Sequence, residues 1–140
     1  RDERLSRQLG AVAALAPDET KHADCLALLL QGGHCIYSHA LLETFSTLTG
    51  GKLGVRVTPD LAAQMLSETI LPRVTVVELS TAEIMAALPV AQSRGVRGGC
   101  VYDYMHLLAA KKSDASVIYT LNMDDFQHLR RGDDPEVQYP

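Results

Sequence analysis

The apolar positions of this chain follow two patterns, one typical of buried strands and one typical of helices. Runs rich in apolar and β-branched residues at 35–37, 74–79 and 117–121 predict short strands buried in a sheet. Between these runs the apolar residues recur with helical spacing. Strands that alternate with helices, without a hairpin signal, predict an α/β fold around a mostly parallel sheet.

Several helices have a recognisable beginning or end. Ser80 and Glu83 have the spacing of a capping box, and the helix that they open is expected to kink at Pro89. Another helix is expected to begin at residues 58–60, where proline takes the first helical position. A third covers residues 39–48, and its expected core-facing side chains are Leu41, Leu42, Phe45 and Leu48.

The remaining segments are polar or rich in glycine. Residues 94–99 predict a basic, glycine-rich loop, and residues 122–125 predict a polar turn. The tail from residue 130 to residue 140 is also expected to be a loop.

Length and composition predict a single globular domain over residues 1–140. The chain has 140 residues, of which 46% are hydrophobic and 21% are charged. This composition is sufficient for one hydrophobic core, but the length is too short for two domains that each have a core. No apolar run approaches the roughly 18 residues that span a bilayer, and no signal-like segment follows the charged start. We therefore expect a cytoplasmic protein that does not enter a membrane.

Cysteine, histidine and net charge give few positive signals. The three widely spaced cysteines suggest neither a disulfide framework nor a zinc site. His39 and His106 are interpreted as packing or hydrogen-bonding residues, since neither has a second His or Cys at metal-ligand spacing. A net charge of −4 argues against a general nucleic-acid coat, but it permits an enzyme that contacts RNA through a metal ion and a few cations.

Asp103 is the most informative position because it lies on an apolar helical stripe with residues 100, 104, 107, 108 and 110. An ionised carboxylate is rarely left on a buried face unless a cation or hydrogen-bond donors compensate for the lost water. Two interpretations are open. Asp103 either accepts hydrogen bonds from backbone N–H groups at a helix N-terminus or binds a metal ion at a cleft.

Other oxygen ligands are expected near Asp103, at the same edge of the sheet. In an open parallel sheet the ligand crevice lies at the carboxyl ends of the strands, where Ser38, Asn122 and Asp125 are expected to fall. Glu43 lies on a nearby helix. Hard oxygen ligands from several elements suit Mg²⁺ or Mn²⁺, either of which can activate hydroxide against a phosphodiester, so a metal nuclease is one hypothesis. Taken singly, Glu43 is typical of a solvated helix charge and Asp125 of a turn or helix cap.

The order of these motifs resembles the PIN-domain ribonucleases, in particular the VapC-type toxins of bacterial toxin–antitoxin pairs, over about residues 11–131. Residues 12–19, followed by the expected helix at His22, resemble the first loop and helix of that family, and residues 38–43 resemble the segment of its second acid. Residues 99–103 resemble the beginning of its third-acid helix. Residues 119–126 give the most specific match, to the closing strand and its Thr-x-Asn-x-x-Asp-Phe turn.

This resemblance implies a three-layer α/β/α PIN-like sandwich and the toxin component of a toxin–antitoxin pair that hydrolyses RNA. It implies that Glu43, Asp103 and Asp125 bind Mg²⁺ or Mn²⁺. Asn122 would belong to the catalytic site with them, and Thr120 would be a supporting hydroxyl. The implied partners are an RNA substrate, a small cognate antitoxin and a second copy of the chain. Aliphatic side chains on helices are in surplus and also favour a homodimer: Leu28, Leu29, Leu61, Met65 and Leu66.

The first-strand aspartate of that family is not found in this chain. The corresponding stretch is residues 5–11, and Arg7 stands about where the aspartate belongs, so a cation replaces an anion that would attract metal. A permitted codon choice for residues 5–12, read one base later, encodes Phe-Leu-Asp-Ser-Leu-Val-Leu, which has the first-strand pattern of the family. The gene's DNA tests this hypothesis of a frame error, which fails if the shifted codons cannot encode an acid.

Two functional classes remain open. The first is a metal-dependent endoribonuclease that uses Glu43, Asp103 and Asp125. The second is a catalytically weakened or inactive PIN-fold module that binds RNA or an antitoxin, in which the acids hold basic side chains of the partner. Basic residues of the chain would then contact RNA phosphates, namely Arg94, Arg97, Lys111, Lys112, Arg130 and Arg131. A nucleotide-binding fold is disfavoured, because no P-loop spacing is present.

Overall fold

A single parallel sheet organises the computed structural model, which describes residues 7–9, 22–50, 56–120 and 123–138. Its strands in these residues are β1 (Arg7–Leu9), β2 (His34–Tyr37), β3 (Val74–Val77), β4 (Val117–Tyr119) and β5 (Glu136–Gln138). They lie in the order β3-β2-β1-β4-β5, and every neighbouring pair is parallel. Strands β2 and β3 therefore lie on one side of β1, and β4 and β5 lie on the other side. This reversal of strand order creates a topological switch point between β1 and β4.

Helices connect these strands, as the sequence predicts. In the described residues they are α1 (His22–Leu30), α2 (His39–Gly50), α3 (Pro59–Met65), α4 (Thr81–Ala87), α5 (Cys100–Lys112) and α6 (Met123–Leu129). Helix α3 continues through a π-helical turn (Leu66–Ile70) and a 3-10 turn (Leu71–Arg73), and α4 continues as a 3-10 helix (Leu88–Arg94). The mixed α/β class with a parallel sheet is confirmed. No helix in these ranges is long and apolar enough to cross a membrane.

The predicted helix signals act as expected around α4. The Glu83 N–H donates to Ser80 Oγ at 3.1 Å, and the Ser80 N–H donates to Glu83 Oε1 at 2.7 Å, which completes the capping box. Pro89 lies where the α-helix changes to a 3-10 helix, and Gly95 ends that helix in the left-handed conformation at φ +70°. Pro59 takes the first position of α3.

Two apolar clusters hold the helices against the strands. The first joins Ile36 of β2 to Leu29 and other side chains of α1, α2 and α3. The second joins Ile118 of β4 to Leu107 of α5 and Phe126 of α6. Because successive strand residues point to opposite faces, Cys35 packs with Ala109 of α5 and not with the cluster around Ile36.

The core face of α2 differs from the predicted one. Ala40, Thr44 and Leu48 are its buried residues, whereas Leu42 is 64% exposed, so the prediction that Leu42 faces the core is wrong. Leu41 and Phe45 are partly buried and pack against the first cluster. Thr44 can occupy the buried stripe because its hydroxyl donates to the Ala40 carbonyl at 2.7 Å.

Three other sequence interpretations also need correction. The tail is not all loop, because β5 pairs with β4 through Val137, the single apolar residue between two exposed polar ones. The expected turn over residues 122–125 is helical from Met123 onward. Leu28 and Leu29 are buried in the first cluster, so they cannot contribute to a dimer surface. Residues 12–19 and Asn122 lie outside the described residues.

Asp134 anchors the segment before β5 through buried charge. Its side chain is 2% exposed and accepts hydrogen bonds from Arg94 at 2.6 Å and from the Arg131 backbone N–H at 3.0 Å, while Lys111 Nζ lies 2.9 Å away. Burial raises the pKa of this carboxyl, but these donors and charges outweigh burial and hold the pKa at about 2. The network fixes β5 to the 3-10 helix and to α5.

We predict that Asp134→Asn lowers the free energy of unfolding by about 2 kcal/mol at pH 7, because an amide loses both ion pairs. The folded-state pKa lies below the unfolded value of about 3.9, so the stabilisation is present above that pH and is lost as the pH falls toward 2. Urea unfolding of the variant and of the exposed control Asp133→Asn measures the effect. Equal stabilities of the two variants at pH 7 would contradict it.

Candidate functional site

Asp103 and Asp125 lie together at the carboxyl edge of the sheet. Helix α6 follows the carboxyl end of β4, and Asp125 is in its first turn. Helix α5 leads back to the beginning of β4, so its first turn, which contains Asp103, lies at the same edge. The two acids line a cavity of about 280 Å³ with Gly99, Cys100 and His128. The structure therefore brings together two of the three predicted metal ligands.

The cavity disfavours further negative charge. Burial raises the pKa of Asp103, and the nearby charges of Asp125 and Glu43 raise it further, although His106 acts in the opposite direction. Burial likewise raises the pKa of the Cys100 thiol, with contributions from Asp103 and Asp125. No backbone hydrogen bond contributes to the Asp103 shift, so this carboxylate does not behave as a helix cap. Asp103 thus lies at a cleft, as the second interpretation requires, and metal binding by Asp103 stays a prediction.

Glu43, the third predicted ligand, is paired with histidines. His106 Nε2 donates to Glu43 Oε1 at 2.8 Å, and His39 Nε2 lies 3.9 Å from Glu43 Oε2. Burial raises the pKa of Glu43, but the hydrogen bond from His106 and the charges of both histidines outweigh it and lower the pKa. The interpretation of His39 and His106 as hydrogen-bonding or packing residues is therefore confirmed for His106.

The sequence analysis did not predict that His106 and His39 lie near these acids. His106 lies three residues after Asp103 on α5, and His39 lies four residues before Glu43 on α2. Helical neighbours at these spacings share a face, and this signal could have been used. His128 and Cys100 were also not predicted to line the acidic cavity. His128 stands in no sequence pattern that indicates a site, whereas Cys100 lies on the same helical stripe as Asp103.

The segment after β4 belongs to the same edge of the sheet. The Thr120 N–H donates to the Gln138 carbonyl at 3.1 Å, which fixes its backbone just beyond the strand. Its predicted role as a supporting hydroxyl stays a prediction. The predicted role of Asn122 is likewise untested, because that residue lies outside the described ranges.

Metal coordination can be judged from the donor set. Within the part of the chain that the structure describes, no group of three or more His, Cys, Asp or Glu side chains is arranged to hold a metal ion. Two hard carboxylates share the cavity, however, and a divalent cation between them would remove the repulsion that raises the pKa of Asp103. Asp103 and Asp125 are therefore the residues of this cavity that could hold an Mg²⁺ or Mn²⁺ ion. Glu43 does not line this cavity, and its Oε1 accepts the hydrogen bond from His106.

Most of the basic residues predicted to contact RNA bind other groups of the chain. Arg94 and Lys111 pair with Asp134, and Lys112 Nζ lies 2.9 Å from Glu83. Arg130 and Arg131 donate to backbone carbonyls. Arg97 is exposed in the loop that leads to α5, close in sequence to Asp103.

Comparison with protein-family models and with curated proteins gives no match for this chain. The PIN-domain resemblance therefore depends on the sequence motifs alone.

We predict that Asp125→Asn lowers the pKa of Asp103, because the amide removes a negative charge that raises it. Carboxyl NMR titration of the protein in EDTA measures the Asp103 midpoint. The exposed neighbour Asp124 provides the control variant Asp124→Asn, which should leave that midpoint in place. An Asp103 midpoint that is the same in Asp125→Asn and in the parent protein would show that the two carboxylates are not coupled.

Proposed function

We propose that this chain is a PIN-like, metal-dependent endoribonuclease that holds Mg²⁺ or Mn²⁺ through Asp103 and Asp125, with Glu43 as a third acid. One observation carries the proposal: the carboxylates of Asp103 and Asp125 line the same cavity at the carboxyl edge of a parallel sheet. This edge, next to the switch point between β1 and β4, is where open α/β sheets bind their ligands. Two further parts of the proposal come from the resemblance to the PIN-domain family: RNA as the substrate and an α/β/α arrangement of layers.

The residues of the cavity would have distinct roles. Asp103 and Asp125 attract and hold the cation, which when bound supplies Lewis-acid stabilisation and an activated water. Glu43 adds negative charge near Asp103, and the hydrogen bond from His106 keeps it ionised. Asn122, as the resemblance implies, would belong to the catalytic site together with Asp125.

Residues 5–11 contain no acid, which limits the expected activity. β1 is the central strand of the sheet and begins at Arg7, which pairs with the first residues of β2 and β4, so Arg7 lies at the amino edge of the sheet and not at the carboxyl edge of Asp103 and Asp125. Each lost hard ligand lowers the affinity for the cation. We therefore expect slow cleavage that Mn²⁺ supports better than Mg²⁺.

The absence of an acid from residues 5–11 favours a second candidate function, a PIN-fold module that binds RNA or an antitoxin without cleaving it. Its acids would then bind the arginines of a small partner. A cognate antitoxin, a homodimer and a cytoplasmic setting are proposals that depend on the same resemblance. Leu61 is 47% exposed and leaves an aliphatic side chain available for a dimer contact, which light scattering tests; a monomer at high concentration would contradict the homodimer.

We predict slow cleavage of single-stranded RNA that depends on Mn²⁺ and stops in EDTA. Asp103→Asn should reduce the rate by about 100-fold while the protein stays folded, because the amide keeps the volume of the side chain and loses its charge. Asp124→Asn is the matched control and should cleave within about twofold of the parent protein.

Electrophoresis of end-labelled RNA measures these rates, and circular dichroism confirms that each variant is folded. Equal cleavage by Asp103→Asn and the parent, or cleavage that persists in EDTA, would overturn the metal-nuclease proposal. RNA binding without any cleavage would support the binding module in its place.

A further inference from the structure

Two aromatic rings are stacked at the carboxyl edge of the sheet, between helices α2 and α5. The rings of His39 and Tyr102 are nearly parallel, with an interplanar angle of 6° and a centroid separation of 5.3 Å. Tyr102 is 52% exposed. Tyr102 stacks on His39 and still leaves about half of its surface accessible to a ligand.

The pair is supported from behind by less exposed groups. The Tyr37 ring lies 6.1 Å from His39 and 5.4 Å from His106, and it meets His106 edge to face. His106 is held in turn by its hydrogen bond to Glu43. A ring pair that is fixed before binding loses little conformational freedom when a ligand stacks on it.

The stacked rings lie on the same two helices as Asp103 and Glu43. Tyr102 precedes Asp103 in the chain, and His39 lies one helical turn before Glu43. Carboxylates repel a phosphodiester in the absence of a cation, so a nucleic acid bound here must gain affinity from its uncharged parts. Exposed aromatic faces supply that affinity, because every base has a π face.

We propose that Tyr102, backed by His39, is a stacking platform for an unpaired base of single-stranded RNA, whose adjoining phosphate faces the cavity of Asp103 and Asp125. The assignment of the phosphate depends on the proposed ribonuclease function, but the stacking itself does not. The platform makes single-stranded RNA the substrate class, because a paired base in an RNA helix cannot present its face. It also predicts weak dependence on base identity.

Binding in EDTA separates stacking from catalysis. The probe is a short single-stranded oligoribonucleotide that contains 2-aminopurine, whose fluorescence is quenched on stacking. We expect the parent protein to quench it and Tyr102→Leu to bind about tenfold more weakly, with the quenching lost. Tyr102→Phe keeps the ring and should bind like the parent. Leu30→Ala, which truncates another exposed side chain at the end of α1, is the control for general surface effects and should also bind like the parent.

An abasic oligonucleotide of the same length completes the experiment, and it should bind the parent protein as weakly as the 2-aminopurine probe binds Tyr102→Leu. Unchanged affinity and quenching in a folded Tyr102→Leu protein would overturn the platform. Equal affinity for the abasic probe would also overturn it and would indicate phosphate contacts alone. If quenching depends on Tyr102 but no Mn²⁺-dependent cleavage is seen, only the ribonuclease proposal is contradicted. If the parent protein shows no quenching and Tyr102→Leu cleaves RNA as fast as the parent, only the platform is contradicted.

Discussion

The packing of helix α5 on the parallel sheet is the constraint on which the rest of this structure depends. Ala109 and Ala110 are fully buried, and Ala109 packs between Cys35 of β2 and Val77 of β3. Small side chains at these positions let the helix axis approach the strands closely. Because a helix is rigid along its length, this contact also determines where its first turn lies. Asp103 therefore reaches the carboxyl edge of the sheet, beside the cavity that it shares with Asp125.

Elements whose ends are determined by nearby residues could be predicted from the sequence. The capping box of Ser80 and Glu83 acts within one turn, so it was recognisable without knowledge of the fold. Strand β5 could not be recognised in this way. It has a single buried residue, Val137, and it is held by pairing with β4 and by the ion pairs of Asp134 with Arg94 and Lys111. Contacts between residues so far apart in sequence leave no local pattern.

Some residues of the candidate site could likewise be predicted from the local sequence, and others could not. Asp103 was identifiable because a carboxylate interrupts an apolar stripe, and Asp125 because it follows a buried strand. The hydrogen bond between His106 and Glu43 joins residues 63 positions apart, and it depends on how the sheet positions α2 relative to α5. The stacking of Tyr102 on His39 has the same origin. The sequence thus identified the acids but not the groups that hold and surround them.

Cation binding by Asp103 and Asp125 is the central claim, and titration of the protein with Mn²⁺, followed by the electron paramagnetic resonance signal of the free ion, tests it most directly. The parent protein and Asp124→Asn should bind the ion weakly and equally. Asp103→Asn and Asp125→Asn should each bind at least about tenfold more weakly, because each removes one of two carboxylate ligands. Mn²⁺ binding that is the same in all four proteins would contradict the assignment of this cavity as a metal site.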